Sequence, residues 1–131
     1  MSYGKSFAAI YIYTGSGILS KNHYLTIKED GLITNIDHLV SEMHSTVFLN
    51  GILCAAFSLP ETNKPDPDLA FRWMLDLMKN DLETTIPECL KLLFDVPELK
   101  TGDKVTLWCI ENIDFSTLRL NEFSYIRVVH P

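Results

Sequence analysis

The stretch from Val47 to Phe57 constrains the fold more than any other part of the chain, because it is the most apolar run in the first half. A run of this length and composition predicts strand structure. Asn50-Gly51 predicts a break within it, which favours a pair of strands over 46–57. The run ends abruptly at the polar segment 58–63.

The chain before this run also predicts strands. Phe7 to Tyr13 is apolar in both of its alternating sets, which is typical of a strand covered on both faces. Residues 24–29 and 32–36 flank Asp30-Gly31, a pair suited to the positive φ values of a type I′ turn, and together they predict a β-hairpin. The polar residues 37–45 predict a connection.

A helix is predicted after the polar linker 61–67. Asp66 followed by Pro67 fits an N-cap with proline at the first helical position. Between residues 69 and 79 the only polar side chains are Arg72, Asp76 and Lys79, which form one narrow stripe. The rest of this helix therefore requires burial.

A second helix is predicted from the capping-box spacing of Thr85 and Glu88 to Pro97, which ends it. Closing strands are predicted over 103–110 and 125–129. The predicted fold class is α+β, a small β-sandwich built from N- and C-terminal strands with a central helical hairpin. One domain covers 1–131, and its parts are the N-terminal strands (1–59), the helical hairpin (66–96) and the C-terminal strands (103–131).

Charge and cysteine usage limit the classes of partner and compartment. Eleven Lys and Arg against seventeen Asp and Glu give a net charge of −6, which repels phosphate backbones and anionic lipid, so we expect no nucleic acid and no membrane as partner. No apolar run approaches the roughly 20 residues of a spanning helix, and the start lacks a signal-peptide pattern. The three cysteines lack Cys-x-x-Cys spacing and indicate reduced thiols. We therefore expect a cytoplasmic protein.

Several segments, taken in order along the chain, match parts of one enzyme family. The run 48–57 is similar to a strand that leads into a catalytic barrel, with Ala55-Ala56-Phe57 where the family usually has Pro-Gly-Phe. Segments similar to the family's first strands, closing helices and returning strands are 7–13, 24–27, 30–33, 86–88, 99–104, 111–114 and 118–120. This order resembles the small composite β-sandwich domain of the metal-dependent amidohydrolase superfamily, of the cytosine-deaminase-like type.

The resemblance implies a domain that lacks the catalytic barrel. In the family, Pro-Gly-Phe is followed by a His-x-His metal pair and by further ligands across a barrel of about 250 residues. Here the matching positions hold Glu61 and Asn63, and the closing helices follow within a few residues. Loss of such an inserted domain leaves only a short loop to close. The resemblance thus implies a protein that is not an enzyme and binds no cofactor.

Other residue groups give weak indications of chemistry. Glu61, Asn63, Asp66 and Asp68 are a candidate replacement metal site, but helix capping explains the aspartates and no histidine lies nearby in sequence. Cys54 lies in an apolar strand, which predicts a buried thiol rather than a nucleophile. The histidines have no metal-ligand spacing and are expected in turns or on the surface; they are His23, His38, His44 and His130.

The first predicted helix gives the one positive indication of function. If nothing else covered its apolar side chains, they would form a patch of roughly several hundred Å². The candidate interface residues are Leu69, Phe71, Trp73, Met74, Leu75, Leu77 and Met78. We therefore expect a non-catalytic amidohydrolase-like remnant that acts as an oligomerising or protein-binding module, with a homodimer or another protein burying this surface.

Three alternatives stay open. Both helices could instead complete the domain's own core. The chain could also be a small-molecule binding domain that uses the groove left by barrel loss. The third alternative is a metal-dependent hydrolase with a rebuilt site.

Overall fold

The computed structural model describes residues 4–15, 18–38, 46–57, 67–93 and 98–130. Its elements are β1 (Lys5–Tyr13), β2 (Leu19–Lys21), β3 (His23–Ile27), β4 (Ile33–His38), β5 (Thr46–Phe57), α1 (Pro67–Asn80), α2 (Ile86–Leu93), β6 (Val105–Glu111) and β7 (Tyr125–His130). The strands form one mixed sheet of order β4-β3-β1-β5-β6-β7, with β2 paired to β1. The α+β class is confirmed. The two-sheet sandwich is not, because all of these strands belong to a single sheet.

β1 and β5 lie side by side at the centre of the sheet and are parallel. β5 runs unbroken over Thr46–Phe57, so the predicted break at Asn50-Gly51 is wrong. The pairing of β1 with β5 instead shifts register between Ala9 and Tyr11, so β5 accommodates an extra residue as a bulge. Glycine is required at this point, because a Cβ on Gly51 would lie 2.1 Å from the carbonyl oxygen of Ile110.

The β3–β4 hairpin is confirmed, but its turn differs from the predicted type. The amide of Gly31 donates to the carbonyl of Lys28 at 2.9 Å, and the amide of Lys28 donates to the carbonyl of Leu32 at 3.0 Å. Gly31 has a φ of 86°, whereas Asp30 is not among the residues with positive φ. The connection is therefore a three-residue loop that ends in a left-handed glycine, and the predicted type I′ turn is wrong.

The sheet curls until the start of β4 reaches the segment before β6. The amide of Ile33 donates to Asp103 O at 2.8 Å, that of Gly102 to Ile33 O at 2.8 Å, and that of Val105 to Gly31 O at 2.9 Å. We call these bonds between 31–33 and 102–105 the closing seam. The curl encloses an inner core of apolar side chains from β1, β3, β4, β5 and β6.

A second, outer core lies between the convex face of the sheet and the two helices. Its central side chain is Trp108, which is buried, and α1 contributes Ala70, Met74 and Met78 at helical spacing. At the start of α2 the amide of Cys89 donates to Thr85 O at 3.1 Å, which confirms the predicted beginning of this helix. The two predicted helices between the strands are confirmed, but their arrangement as a helical hairpin is not. Both helices contribute to the outer core on the sheet.

Several predicted features lie outside the described residues. They are the polar segment 58–63, the polar linker 61–67 apart from Pro67, the N-cap at Asp66 and the helix end at Pro97. Within the described part, no helix has the length and apolar character to cross a bilayer.

Candidate functional site

The seven candidate interface residues divide between the core and the surface. Met74 is fully buried and Met78 nearly so, and both pack against the sheet, so their assignment to a surface is wrong. The half-buried residues are Phe71, Leu75 and Leu77. Leu69 is 63% exposed and Trp73 is 37% exposed. The apolar surface of α1 is therefore smaller than predicted and is centred on these two side chains.

Charged residues border the two exposed apolar side chains. Arg72 and Asp76 are exposed and lie one turn apart on the side of α1 that faces away from Met74. We call the exposed side chains Leu69, Arg72, Trp73 and Asp76 the α1 outer face. An apolar centre with charged residues at its border is the usual composition of a protein-binding surface.

The end of α1 is held by Arg119, which the sequence analysis did not identify. Its guanidinium donates hydrogen bonds to the backbone carbonyls of Met78, Asp81 and Thr84. These carbonyls lie at or beyond the C-terminal end of α1, where no further helical amides are present to donate to them and the helix dipole favours a cation. In addition, the amide of Ile86 donates to Leu118 O at 2.7 Å. The segment 114–120 thus fixes α1 and α2 on the sheet.

The strand next to α1 is β7, the last strand of the sheet. Val128 is 46% exposed and pairs with Trp108, whose side chain belongs to the outer core, so Val128 lies on the helix-bearing face. The pairing of β6 with β7 shifts register between Leu107 and Trp108 and leaves Val129 as the extra residue of a bulge. An exposed apolar side chain therefore lies on the strand that α1 contacts.

A charged cluster lies on the opposite face of the same edge. Arg127 forms an ion pair with Glu111, and the Tyr125 hydroxyl donates to the same carboxylate at 2.8 Å. Partial burial raises the pKa of Glu111, but the hydrogen bonds from Arg127 and Tyr125 outweigh it and hold the pKa of the carboxyl below its ordinary value. The cluster joins β6 to β7, and its geometry is that of a structural ion pair.

An open groove of about 350 Å³ lies between the end of β1, the start of β3 and the loop before β6. Its lining includes the apolar residues Ile36 and Leu99 and the charged residues Asp37, Glu98 and Lys100. Hydroxyl and imidazole groups of Thr14, Ser20, His23 and Thr101 are also part of its lining. This volume is within the range of small-molecule sites, although the lining is more polar than in most of them.

The structure brings two histidines together that the sequence analysis treated as scattered. The Cα atoms of His23 and His38 are opposite each other in the β3–β4 ladder. The predicted hairpin contained the signal, because its register already pairs these two positions. The His23 ring nitrogen Nδ1 lies 2.6 Å from Lys21 O, while the His38 side chain and His44 lie outside the described part. His130 is on β7, in a different part of the sheet.

The cysteines have the properties of core side chains. All three are buried and free of disulfides. Burial raises the pKa of Cys109 to about 12 and that of Cys89 to about 11, with smaller contributions from Glu111 and Glu88, and burial also raises the pKa of Cys54 strongly. A thiol with a raised pKa is a poor nucleophile, so the described geometry gives Cys54 no nucleophilic role.

Only one residue of the candidate replacement metal site, Asp68, lies within the described ranges. Glu61, Asn63 and Asp66 lie outside the described residues, and Asp68 is exposed in the first turn of α1. Within the described ranges, no three His, Cys, Asp or Glu side chains lie close enough together to hold a metal ion.

Comparison of the chain with models of protein families, with curated proteins and with solved structures finds no match in any of the three.

Proposed function

We propose that this domain is a non-catalytic protein-binding module whose working surface is the α1 outer face. The observation that carries the proposal is the exposure of Leu69 and Trp73, which the domain's own outer core does not use. Tryptophan is among the side chains most enriched at the centres of protein interfaces, because it buries a large area with little loss of conformational freedom. Val128 is also exposed, on the strand that α1 contacts.

We also propose that the domain descends from the composite β-sandwich domain of an amidohydrolase that lost its barrel. The presence of β1 and β7 in one sheet supports this proposal, because a composite domain is built from both ends of its chain. The three free, buried cysteines support a reducing compartment such as the cytoplasm.

A photo-crosslinking amino acid at position 69 tests the protein-binding proposal in cells that make the protein naturally. The matched control carries the same group at Lys28, which is exposed in the β3–β4 loop. We expect a protein adduct at position 69 that is several-fold stronger than at position 28, and weaker again when Trp73→Gln is added. Equal labelling at the two positions would contradict the proposal. The mass of the adduct distinguishes a second copy from a different protein.

A second candidate function is small-molecule binding in the groove. The supporting observation is a cavity of about 350 Å³ whose lining combines two apolar residues with polar and charged ones. Amide NMR spectra of the labelled protein with a panel of small amines, polyols and carboxylic acids would test it. Binding predicts shifts that cluster at Ser20, His23 and Thr101, whereas shifts scattered over the sheet, or none, would oppose this function.

A further inference from the structure

The charged residues of α1 alternate in sign along the helix. In order they are Asp68, Arg72, Asp76 and Lys79, and all four are exposed. Their charges cancel, whereas the whole chain carries a net charge of −6. Two copies of the chain repel each other over most approaches, but this helix does not add to that repulsion.

Read from the other end of the helix, the same four charges have the opposite signs in order, so an antiparallel copy of α1 presents a complementary pattern. When a second α1 is laid antiparallel against the first, Asp68 is opposite the second copy's Lys79, and Arg72 is opposite its Asp76. The midpoint of the first pair falls between Trp73 and Met74 and that of the second falls at Met74, so the two midpoints lie within one residue of each other. A two-fold axis at this point therefore brings every charged residue of one helix to an opposite charge on the other.

We infer that the partner of the α1 outer face is a second copy of this chain, packed antiparallel along α1 with Trp73 next to the two-fold axis. This inference rests on the proposed function and names its partner. Because Trp73 lies next to the midpoint of the charge pattern, the two tryptophans lie near the two-fold axis. The Arg72–Asp76 pairs lie within one turn of the axis, and the Asp68–Lys79 pairs lie towards the ends of the interface. An apolar centre with charged ends is the distribution expected of a specific contact.

The alternative route to a dimer, pairing of β7 with β7, is less favourable. β7 is the last strand of the sheet, but it carries the bulge at Val129, and bulges of this kind disturb the regular ladder that a new strand needs. Its Arg127 is already engaged by Glu111. The helix surface offers charge complementarity, whereas the strand edge does not.

The expected dimer is weak, because one helix from each copy buries less area than a permanent interface does. Sedimentation velocity over a concentration series up to the millimolar range measures its dissociation constant. The variants are Arg72→Glu, Asp76→Lys and the double variant, which leaves the net charge unchanged. Lys28→Glu controls for the added negative charge of Arg72→Glu, whereas Asp76→Lys lowers the net negative charge, so repulsion between copies cannot explain a weaker dimer of that variant. Near-ultraviolet circular dichroism of each variant checks that the fold is retained.

We expect each single variant to weaken dimerisation by about tenfold or more, because symmetry places each substitution in the interface twice. The double variant restores opposite charges across the axis and should recover affinity to within about threefold of the wild type. Lys28→Glu should have a much smaller effect. A wild-type chain that stays monomeric over the whole concentration series would overturn the inference. So would a double variant whose loss of dimerisation free energy equals the sum of the losses of the two single variants. A crosslinked adduct at position 69 with a different protein would then still support the proposed function.

Discussion

Replacing Gly31 by alanine tests whether the closing seam holds the curled sheet together. A Cβ at this position would lie 2.4 Å from the carbonyl oxygen of Val105, too close for any real contact, and the glycine has a φ of 86°. The obstructing atom is backbone, so a side-chain rotation cannot relieve the overlap. The start of β4 must therefore move away from the segment that precedes β6.

The cost of this change follows from two contributions. Left-handed backbone costs an alanine roughly 1–2 kcal/mol relative to glycine. Separation of the strands loses or weakens the three closing-seam hydrogen bonds, each worth about 1 kcal/mol net. We expect Gly31→Ala to lower the free energy of unfolding by about 3–4 kcal/mol, a large part of the 5–15 kcal/mol that is typical of a domain.

Gly102→Ala is the matched control. Gly102 has a φ of 95°, but a Cβ there would meet nothing within 4 Å, so this variant carries the backbone strain without the overlap. Urea unfolding followed by tryptophan fluorescence should show Gly31→Ala to be less stable than Gly102→Ala by about 2 kcal/mol. Equal stabilities would refute the closing seam. If Gly31→Ala does not fold, hydrogen exchange of the Ile33 and Val105 amides in the wild-type protein tests the closing seam instead. A closed seam protects these two amides as strongly as the amides of β5 are protected.

Substitutions at four further positions and one removal test separate parts of the structure. Arg119→Ala should lower the free energy of unfolding by about 2–3 kcal/mol, because it leaves carbonyls at the end of α1 without their donor, and Arg119→Lys should recover less than half of the loss in urea titrations. The pKa of Glu111 is lowered in the folded state from its ordinary value of 4.5. The ionised Glu111 therefore stabilises the fold above pH 4.5, and this stabilisation is lost as the pH falls through the lowered pKa. Glu111→Gln should lack this part of the acid-induced decrease in melting temperature. Leu69→Gln should change the free energy of unfolding by less than about 0.5 kcal/mol, whereas Met74→Ala should cost about 2–5 kcal/mol. Treatment with a chelator should leave the melting temperature unchanged, and stoichiometric zinc or iron in washed protein would instead favour the hydrolase alternative.

The sequence predicted those strands whose signal is local. β1 and β5 are apolar on both faces, and the β3–β4 hairpin has glycine at its turn, so composition and alternation were sufficient. The curl of the sheet could not be predicted in this way. It depends on backbone hydrogen bonds between residues 31–33 and 102–105, and no side-chain pattern records a contact between backbones so distant in sequence.

The candidate site was predicted in part, for a similar reason. The narrow polar stripe of α1 correctly indicated a helix with a buried face, but it overstated the burial, because Leu69 and Trp73 are exposed. The i, i+4, i+8 spacing of Ala70, Met74 and Met78 was visible in the sequence and marks the face that packs on the sheet. Arg119 gave no signal, because its three acceptors are backbone carbonyls on another element.

The position of α1 in the fold explains why its outer face stays exposed. The curl covers the inner face of the sheet without help from a helix, so the helices are needed only on the convex face. α1 contacts β7, the last strand, and therefore lies near the border of that face rather than at its centre. A helix at a border has neighbours on fewer sides than one in the middle of a layer, and a side chain on its open flank is left uncovered unless a partner supplies the contact. Trp73 lies on this open flank, where the proposed second copy would cover it.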